Sequence, residues 1–253
     1  MKISGTILLL LLALVSVSFG QTPGVPQSAN IVSQETAVLC PEGPITDVLL
    51  TGTASWTMGS DNETGQVTLK ARAAGQSRVD LVLGTVSRSE IRINDPLTPQ
   101  FETLAGGQWT TRAVHNGWVD ANWFFPALSA LVVGPQNGFA LGSISDVSHV
   151  FSQFQIANQK SAITSQIQGL STVLCDLDPS TRLPLAVHFS AHPDDNLLAN
   201  IPVDVQYSDY RVVNGVQVPF RIQRYFNGTL QLDITISAVT INPGLTNSDF
   251  AEN

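Results

Sequence analysis

The sequence predicts a mainly β fold of the α+β class, with one strongly curved antiparallel sheet and two or three short helices. Three observations favour it. Apolar and polar residues alternate in long runs after residue 200, shorter alternating runs fill residues 48–93, and the stretch between them contains helical spacing. Two strand-rich parts separated by a helical insertion indicate a single sheet rather than a doubly wound α/β fold.

The first 20 residues have the pattern of a secretion signal. Lys2 supplies a positive charge, and residues 7–17 form an apolar run that is too short to span a bilayer. Small residues at Ser18 and Gly20 predict cleavage before Gln21. We therefore expect a signal peptide over residues 1–20 rather than a retained membrane anchor. No Cys follows the run, so we expect a periplasmic or secreted protein without a lipid anchor.

The predicted domain follows a lead-in. Residues 21–44 are rich in Pro and Gly at their start and contain a short predicted helix over residues 29–39. The folded domain is expected over residues 45–250. Its first strands are predicted at residues 48–58, 66–73, 79–86 and 89–93, with turns at residues 59–65 and 74–76.

The middle of the chain has a different character. It carries Trp109, Trp118 and Trp123, and residues 119–133 are predicted to form a helix or irregular helical turns. A weak alternation predicts a strand at residues 146–156. The spacing of apolar residues then predicts a short amphipathic helix over residues 161–170. Further strands are expected at residues 172–177 and 185–190, on either side of a turn at residues 178–181.

Two Asn-Gly turns organise the C-terminal part. Asn214-Gly215 and Asn227-Gly228 each lie between long alternating runs, and Asn-Gly supplies the two positive φ angles of a type I′ hairpin turn. This predicts a three-stranded antiparallel meander with one apolar and one polar face. The alternation slips by one residue at Ala238-Val239, which predicts a β-bulge that increases the curvature of the sheet.

The charge of the chain excludes one class of partner. It has 20 acidic and 12 basic residues and a formal net charge of −8. An acidic protein repels nucleic acid, so no nucleic-acid partner is expected.

Two cysteines, Cys40 and Cys175, leave two alternatives open. An exported location permits a disulfide between them, which would close a long loop. The other alternative is two separate buried thiols.

The C-terminal part resembles exported proteins with the LolA-like fold, which are bacterial lipoprotein carriers and their relatives. The resemblance rests on Tyr210-Arg211, Asn214-Gly215, the strand with Val218-Pro219-Phe220, the second glycine turn and a final strand that ends at Asn242-Pro243. It implies an open half-barrel whose concave apolar face is covered by helices and holds lipid chains. It assigns no functional residue to this chain.

An aromatic cluster is the candidate ligand-binding site. Trp118, Trp123, Phe124 and Phe125 lie close together in the sequence and match no motif of the family. They could line a cavity for an apolar ligand, or they could pack into the core. Both interpretations remain open from the sequence.

A second motif resembles a catalytic zinc site. Ala191-His192-Pro193-Asp194-Asp195 looks like the zinc-site sequence of N-acetylglucosaminyl deacetylases, in which His and Asp bind the metal and a neighbouring Asp acts as the base. No histidine follows His192, however, and the motif lies between two predicted antiparallel strands. We interpret it as a polar turn and expect no catalytic or metal-binding residue.

Three functions follow from the sequence, in decreasing order of support. The first is an exported, monomeric envelope binding protein that holds a lipid or an acylated partner in an apolar half-barrel cavity, without enzymatic activity or a cofactor. The second is a structural or protein-interaction module of the same fold without a ligand. The third is a zinc-dependent deacetylase that uses the Ala191 to Asp195 motif.

Overall fold

A computed structural model describes most of the region after residue 44. The described residues are 37–41, 45–84, 87–93, 100–103, 108–111, 116, 122–128, 139–141, 145–148, 151–158, 172–193, 195–196 and 198–252. The strands they form are β1 (Asp47–Met58), β2 (Asp61–Arg72), β3 (Ser77–Leu83), β4 (Ser87–Arg92), β5 (Gln100–Thr103), β6 (Trp109–Thr111), β7 (Phe139–Leu141), β8 (Ser145–Ser148), β9 (Phe151–Asn158), β10 (Thr172–Leu177), β11 (Pro184–Ala191), β12 (Ile201–Val213), β13 (Val216–Phe226) and β14 (Thr229–Ile241).

All of these strands belong to one antiparallel sheet. Its order is β6, β5, β4, β3, β2, β1, β14, β13, β12, β11, β10, β9 and β7, and β8 also pairs with β9. β1 pairs with β14 from Val48 opposite Ile241 to Trp56 opposite Leu232, so the first and last strands join the two meanders. The sheet is not closed into a barrel and forms the predicted open half-barrel.

The C-terminal meander is confirmed. β12, β13 and β14 are 13, 11 and 13 residues long. At the two turns, Asn214 and Gly215 have φ angles of 48° and 77°, and Asn227 and Gly228 have 48° and 75°. These positive values are the ones that a type I′ turn requires, and a residue with a Cβ other than Asn or Asp adopts them at a cost.

The predicted β-bulge is also confirmed. The register of the β1–β14 pair shifts between Thr51, opposite Ala238, and Gly52, opposite Ile236. Ser237 is the extra residue, and its hydroxyl donates a hydrogen bond to the carbonyl of Thr51 at 3.1 Å. The bulge explains why the apolar positions change parity along β14, since Ile236 and Val239 both pack with the core.

Two predictions about strands need correction, and three short strands were not predicted. β2 begins at Asp61 rather than at residue 66, because a two-residue turn lets the polar residues after it pair with the end of β1. The single strand predicted at residues 146–156 is wrong, since β8 and β9 pair there as a hairpin. β5, β6 and β7 have three or four residues each, which is too short to show a period in the sequence.

The core lies on one face of the sheet, which we call the inner face. Alternate residues of each strand point to it, as the period of a strand requires. Its buried members on the six central strands are Val48, Leu50, Ala54, Trp56, Val67, Leu69, Ala71, Val79, Leu81, Leu83, Val203, Val205, Tyr207, Val216, Val218, Phe220, Ile222, Leu232, Ile234 and Ile236.

The intervening residues form the outer face, part of which is covered by the end of the chain. A short 3₁₀ helix (Asn247–Phe250) follows the last strand. Lys70 on β2 pairs with Asp249 at 2.9 Å, and Arg72 Nη1 donates to Asn247 Oδ1 at 2.8 Å. Phe250 is buried below the guanidinium of Arg72. These contacts attach the C-terminal segment to the first half of the sheet.

Candidate ligand-binding face

A short aromatic segment lies over the inner face. We call residues 122–128 the cover segment, and its members Trp123, Phe124, Phe125 and Leu128 are all buried in the same core as the strands. The segment is a turn followed by a helical turn, in which Phe125 N donates to the carbonyl of Asn122. The cover segment therefore shields the apolar face of the sheet from water, as a second sheet does in a β-sandwich.

Hydrogen bonds to the sheet fix the cover segment at its first residues. The hydroxyl of Tyr207, on the inner face of β12, donates to the carbonyl of Trp123 at 2.6 Å. Asn122 Nδ2 donates to the carbonyl of Arg72 at 2.9 Å. Trp123 and Phe124 meet edge to face at 5.5 Å between ring centroids. The aromatic rings thus have a defined position between strands from both halves of the chain.

The inner face also carries a group of charged residues among its apolar ones. We call Trp56, Arg88, Glu90, Trp123 and Arg224 the arginine–tryptophan cluster. Arg224 Nη2 lies 3.5 Å from Glu90 Oε1, and its guanidinium carbon lies 4.9 Å from the Trp123 ring and 5.9 Å from the Trp56 ring. The guanidinium of Arg88 lies 4.7 Å from the Trp56 ring. Both cations therefore stack on indole rings.

Glu90 is ionised within this cluster. Burial alone would raise its pKa, but the charges of Arg224 and of Arg92, and the hydrogen bonds that they donate, outweigh burial and lower the pKa to about 2. Arg92 Nη2 donates to Glu90 Oε2 at 3.2 Å. Glu90 thus links guanidinium groups from β4 and β13 on the inner face.

A small space remains within the cluster. It has a volume of about 10 Å³ and is lined by Trp56, Val79, Leu81, Arg88, Glu90, Arg224 and Leu232. This is room for about one water molecule. The described part of the inner face is thus closely packed next to the charged residues.

The outer face carries a different polar group. His188 on β11 lies between two carboxylates, with Nδ1 2.6 Å from Asp204 Oδ1 and Nε2 2.9 Å from Asp176 Oδ2. Burial lowers the pKa of His188, but the hydrogen bonds and charges of Asp204 and Asp176 outweigh it and raise the pKa. Within the described residues, no group of His, Cys, Asp and Glu is arranged to hold a metal ion.

A polar groove of about 350 Å³ also opens on the outer face. It is lined by Thr53, Ala54, Ser55, Thr64, Arg221, Asp233 and Thr235. Arg221 Nη2 and Asp233 Oδ2 form an ion pair across it at 2.9 Å. The two faces thus differ in character, since the apolar core is confined to the inner one.

The predicted aromatic site falls partly on the cover segment. Trp123, Phe124 and Phe125 come together in the core, whereas Trp118 lies outside the described residues, as does the helix predicted at residues 161–170. In this structure the three described rings pack against the sheet, which is one of the two alternatives that the sequence left open. The same rings border the cluster through Trp123.

The structure describes both cysteines. Cys40 is half-buried and Cys175 is buried. A disulfide between them stays a prediction.

His192 lies in a structural turn between β11 and β12. It is buried, and its Nδ1 donates to the carbonyl of Ala199 at 3.0 Å. Asn116 holds its backbone on both sides, since His192 N donates to Asn116 Oδ1 and Asn116 Nδ2 donates to the carbonyl of His192. Asn196 N donates to the carbonyl of Pro193 at 3.2 Å, which closes the predicted turn. Asp194 lies outside the described residues.

The sequence reasoning missed the arginine–tryptophan cluster. A signal was present, because Arg224 continues the alternation of Val218, Phe220 and Ile222 and thus occupies an inward position. Arg88 and Glu90 likewise lie opposite Leu81 and Val79. A charged residue at an inward position of an apolar face indicates either a buried ion pair or a ligand-binding site.

Comparison with known proteins supports the fold. No family model matches the chain, and no curated protein matches its sequence. A domain from Vibrio parahaemolyticus, described as an outer membrane lipoprotein-sorting protein domain, matches with a TM-score of 0.53 at 12% identity, over 89% of this chain and 96% of that one. The fold is LolA-like. A DUF1329 family protein from Desulfovibrio piger has the same score at 9% identity, over 91% and 98% of the two chains.

The LolA-like fold extends over almost the whole of each neighbour, and at these identities the likeness concerns the fold alone. A LolA superfamily protein from Nitrosomonas europaea aligns over 88% of this chain and 97% of that one at 9% identity, with a TM-score of 0.49. Among the helices in the described ranges, none has the length and apolar character needed to cross a membrane.

Proposed function

We propose that this protein is an exported binding protein that holds the acyl chain of a lipid, or of a lipid-modified partner, against the inner face of its sheet. One observation carries the proposal. An apolar face that continues across β1, β2, β3, β12, β13 and β14 is covered, in the described part, by the short aromatic cover segment, with Leu39 in the same core, rather than by a second sheet. The LolA-like fold supports the same role.

The cover segment is the element that an acyl chain would displace. Its rings bury apolar surface of the sheet, and a chain in the same place would bury that surface equally well. Each buried CH₂ contributes about 0.8 kcal/mol, so a twelve-carbon chain offers roughly 9 kcal/mol before ordering costs. The lost burial of the displaced rings and the ordering costs reduce this gain, so we expect micromolar or weaker binding. The proposal includes no catalysis.

Binding of dodecanoate tests the proposal. We expect native mass spectrometry of the purified protein to detect a one-to-one complex. Tyr207→Phe removes the hydrogen bond to the carbonyl of Trp123, which the ligand must break when it displaces the cover segment. We therefore expect the variant to bind dodecanoate about fivefold more tightly, which is what about 1 kcal/mol gives. Tyr210→Phe is the matched control, because its hydroxyl donates to the carbonyl of Pro184 instead.

A second candidate is a structural module of the same fold without a ligand. The space of about 10 Å³ beside Trp56 favours it, because that part of the inner face is closely packed. Absence of a dodecanoate complex, together with equal stability effects of Tyr207→Phe and Tyr210→Phe, would contradict the binding proposal and favour the module. Secretion is tested separately, by whether the mature protein begins at Gln21.

A further inference from the structure

The arginine–tryptophan cluster presents hydrogen-bond donors that the protein does not use. Trp56 Nε1, Trp123 Nε1, Arg88 Nε and Arg224 Nε are buried and have no hydrogen-bond partner among the described residues. Trp56, Trp123 and Arg224 are each less than 8% exposed. A buried donor without an acceptor costs about 1–3 kcal/mol, so a group of such donors is rarely kept without a use.

Stacking does not satisfy these donors. The guanidinium of Arg224 lies near the Trp56 and Trp123 rings, but a cation–π contact uses the face of the ring. The indole N–H lies in the ring plane and stays available for a hydrogen bond. Indole and guanidinium groups are donors only, so their common complement is an acceptor oxygen.

The kind of donor decides which acceptor fits best. The described ionisable groups at inward register positions near the cluster are Arg88, Arg92 and Arg224 with Glu63, Glu90 and Glu102, so neither sign of charge is in excess among them. Two of the four unused donors belong to guanidinium groups, and a hydrogen bond between ionised partners is about twice as strong as a neutral one. An oxyanion would form such bonds with Arg88 and Arg224, whereas a neutral carbonyl would form only the weaker kind.

The cluster is continuous with the apolar inner face. Val79, Leu81 and Leu232 line the same small space as Arg88, Glu90 and Arg224, and all three belong to the core. The space of about 10 Å³ has the size of one oxygen-bearing group, so a larger headgroup requires the neighbouring Trp123 to move with the cover segment. A ligand with one charged end and an apolar chain matches this arrangement.

We propose that Trp56, Arg88 and Arg224 on the sheet, together with Trp123 as it moves with the cover segment, form a binding subsite for the oxyanion of an acyl-chain amphiphile, either a carboxylate or a phosphate. The inference rests on the proposed function, because the apolar chain of the ligand occupies the inner face. It adds that the protein selects anionic over neutral amphiphiles and that these donors make the selection.

Three probes of equal chain length test the subsite. Dodecanoate, dodecyl phosphate and dodecanol are titrated by calorimetry into the whole protein. We expect dodecanoate, dodecyl phosphate or both to bind at least tenfold more tightly than dodecanol, which is the ratio expected for one hydrogen bond to a charged group. Preference for the carboxylate alone indicates a fatty acid, and preference for the phosphate alone indicates a lipid headgroup.

Variants then assign the preference to the cluster. The double variant Trp56→Phe, Trp123→Phe removes two donors and keeps the rings, and Arg88→Gln removes a half-buried cation with little risk to folding. We expect both to lose most of the preference for the anionic probes over dodecanol, measured as the ratio of the two affinities within each variant. Trp109→Phe is the control that retains it, because Trp109 is in register with Thr103 and Ser89 and thus lies on the other face of the sheet from Arg88 and Glu90.

The outcomes separate the two proposals. Equal affinity of the unaltered protein for all three probes overturns the subsite and leaves the proposed function standing. Binding of none of them overturns the proposed function and the subsite with it. A preference that survives in both variants means that the oxyanion is recognised elsewhere, which also overturns the assignment.

Discussion

At the scale of single residues, the two faces carry reversed arrangements of charge: one carboxylate lies between two cations on the inner face, and one imidazole lies between two carboxylates on the outer face. Glu90 on the inner face is held between guanidinium groups from two strands. On the outer face, Asp176 and Asp204 are held by one imidazole. Each arrangement stabilises a charge that burial opposes, so each makes stability depend on pH in a direction that can be stated.

Glu90→Gln should destabilise the protein by about 3 kcal/mol at neutral pH. A pKa lowered from 4.5 to about 2 favours the folded state by that amount where the carboxylate is ionised, and the substitution leaves Arg224 without its counter-charge. Because the folded pKa is lowered, this stability is complete above pH 4.5 and disappears as the pH falls towards 2. Urea unfolding at several pH values measures it. Glu252→Gln, at an exposed position, is the control and should have little effect.

His188 should act in the opposite direction. Its raised pKa means that protonation favours the folded state, so its contribution is complete below the unfolded pKa of about 6.5 and is lost as the pH rises through the folded value. We expect the stability difference between the original protein and His188→Gln to shrink as the pH rises from 6 to 9. A difference that grows over this range would contradict the assignment.

At the scale of elements, the C-terminal 3₁₀ segment connects the end of the chain to β2 and β3. Phe250 is almost fully buried outside the inner core, and Arg78 Nη1 donates to the carbonyl of Ala251 at 2.9 Å. The segment has only four helical residues, so its order depends on this anchoring and not on helix propensity.

Phe250→Ala should therefore cost about 3 kcal/mol, the usual loss for a buried Phe. We expect faster proteolysis and faster hydrogen exchange in residues 243–252, with the sheet retained. Lys70→Gln is a useful comparison, because it removes only the ion pair to Asp249 and should cost about 1 kcal/mol or less. Equal effects of the two changes would contradict the role of the ring.

At the scale of the whole molecule, the β1–β14 pair joins the two meanders into one sheet. Gly52 lies at the bulge of this pair, where a Cβ would collide with the carbonyl of Thr235. No other residue type fits there without moving the backbone. The sequence has placed a glycine where the first and last strands leave no room for a Cβ.

Gly52→Ala should destabilise the entire sheet by about 2–3 kcal/mol, as overpacking at a rigid site does. The urea midpoints measured by far-UV circular dichroism and by tryptophan fluorescence should shift together, because the β1–β14 pair connects both halves of the sheet. Gly84→Ala is the matched control, since a Cβ at that exposed position meets nothing within 4 Å. Separate transitions for the two probes would contradict a single cooperative sheet.

The sequence by itself determined the elements whose signals are local. Asn214-Gly215 and Asn227-Gly228 fix their turns through positive φ, alternation fixes which side of β12 to β14 is apolar, and the slip at Ala238-Val239 marks the bulge. These features depend on neighbours along the chain, which a sequence displays directly.

Only the tertiary structure decided which distant residues meet. Glu90 and Arg224 are 134 positions apart, and no sequence pattern near either residue indicates that they meet. The place of Trp123 over Tyr207 likewise depends on a partner 84 positions away along the chain. Contacts between distant segments are set by the register of the whole sheet, which no local pattern contains.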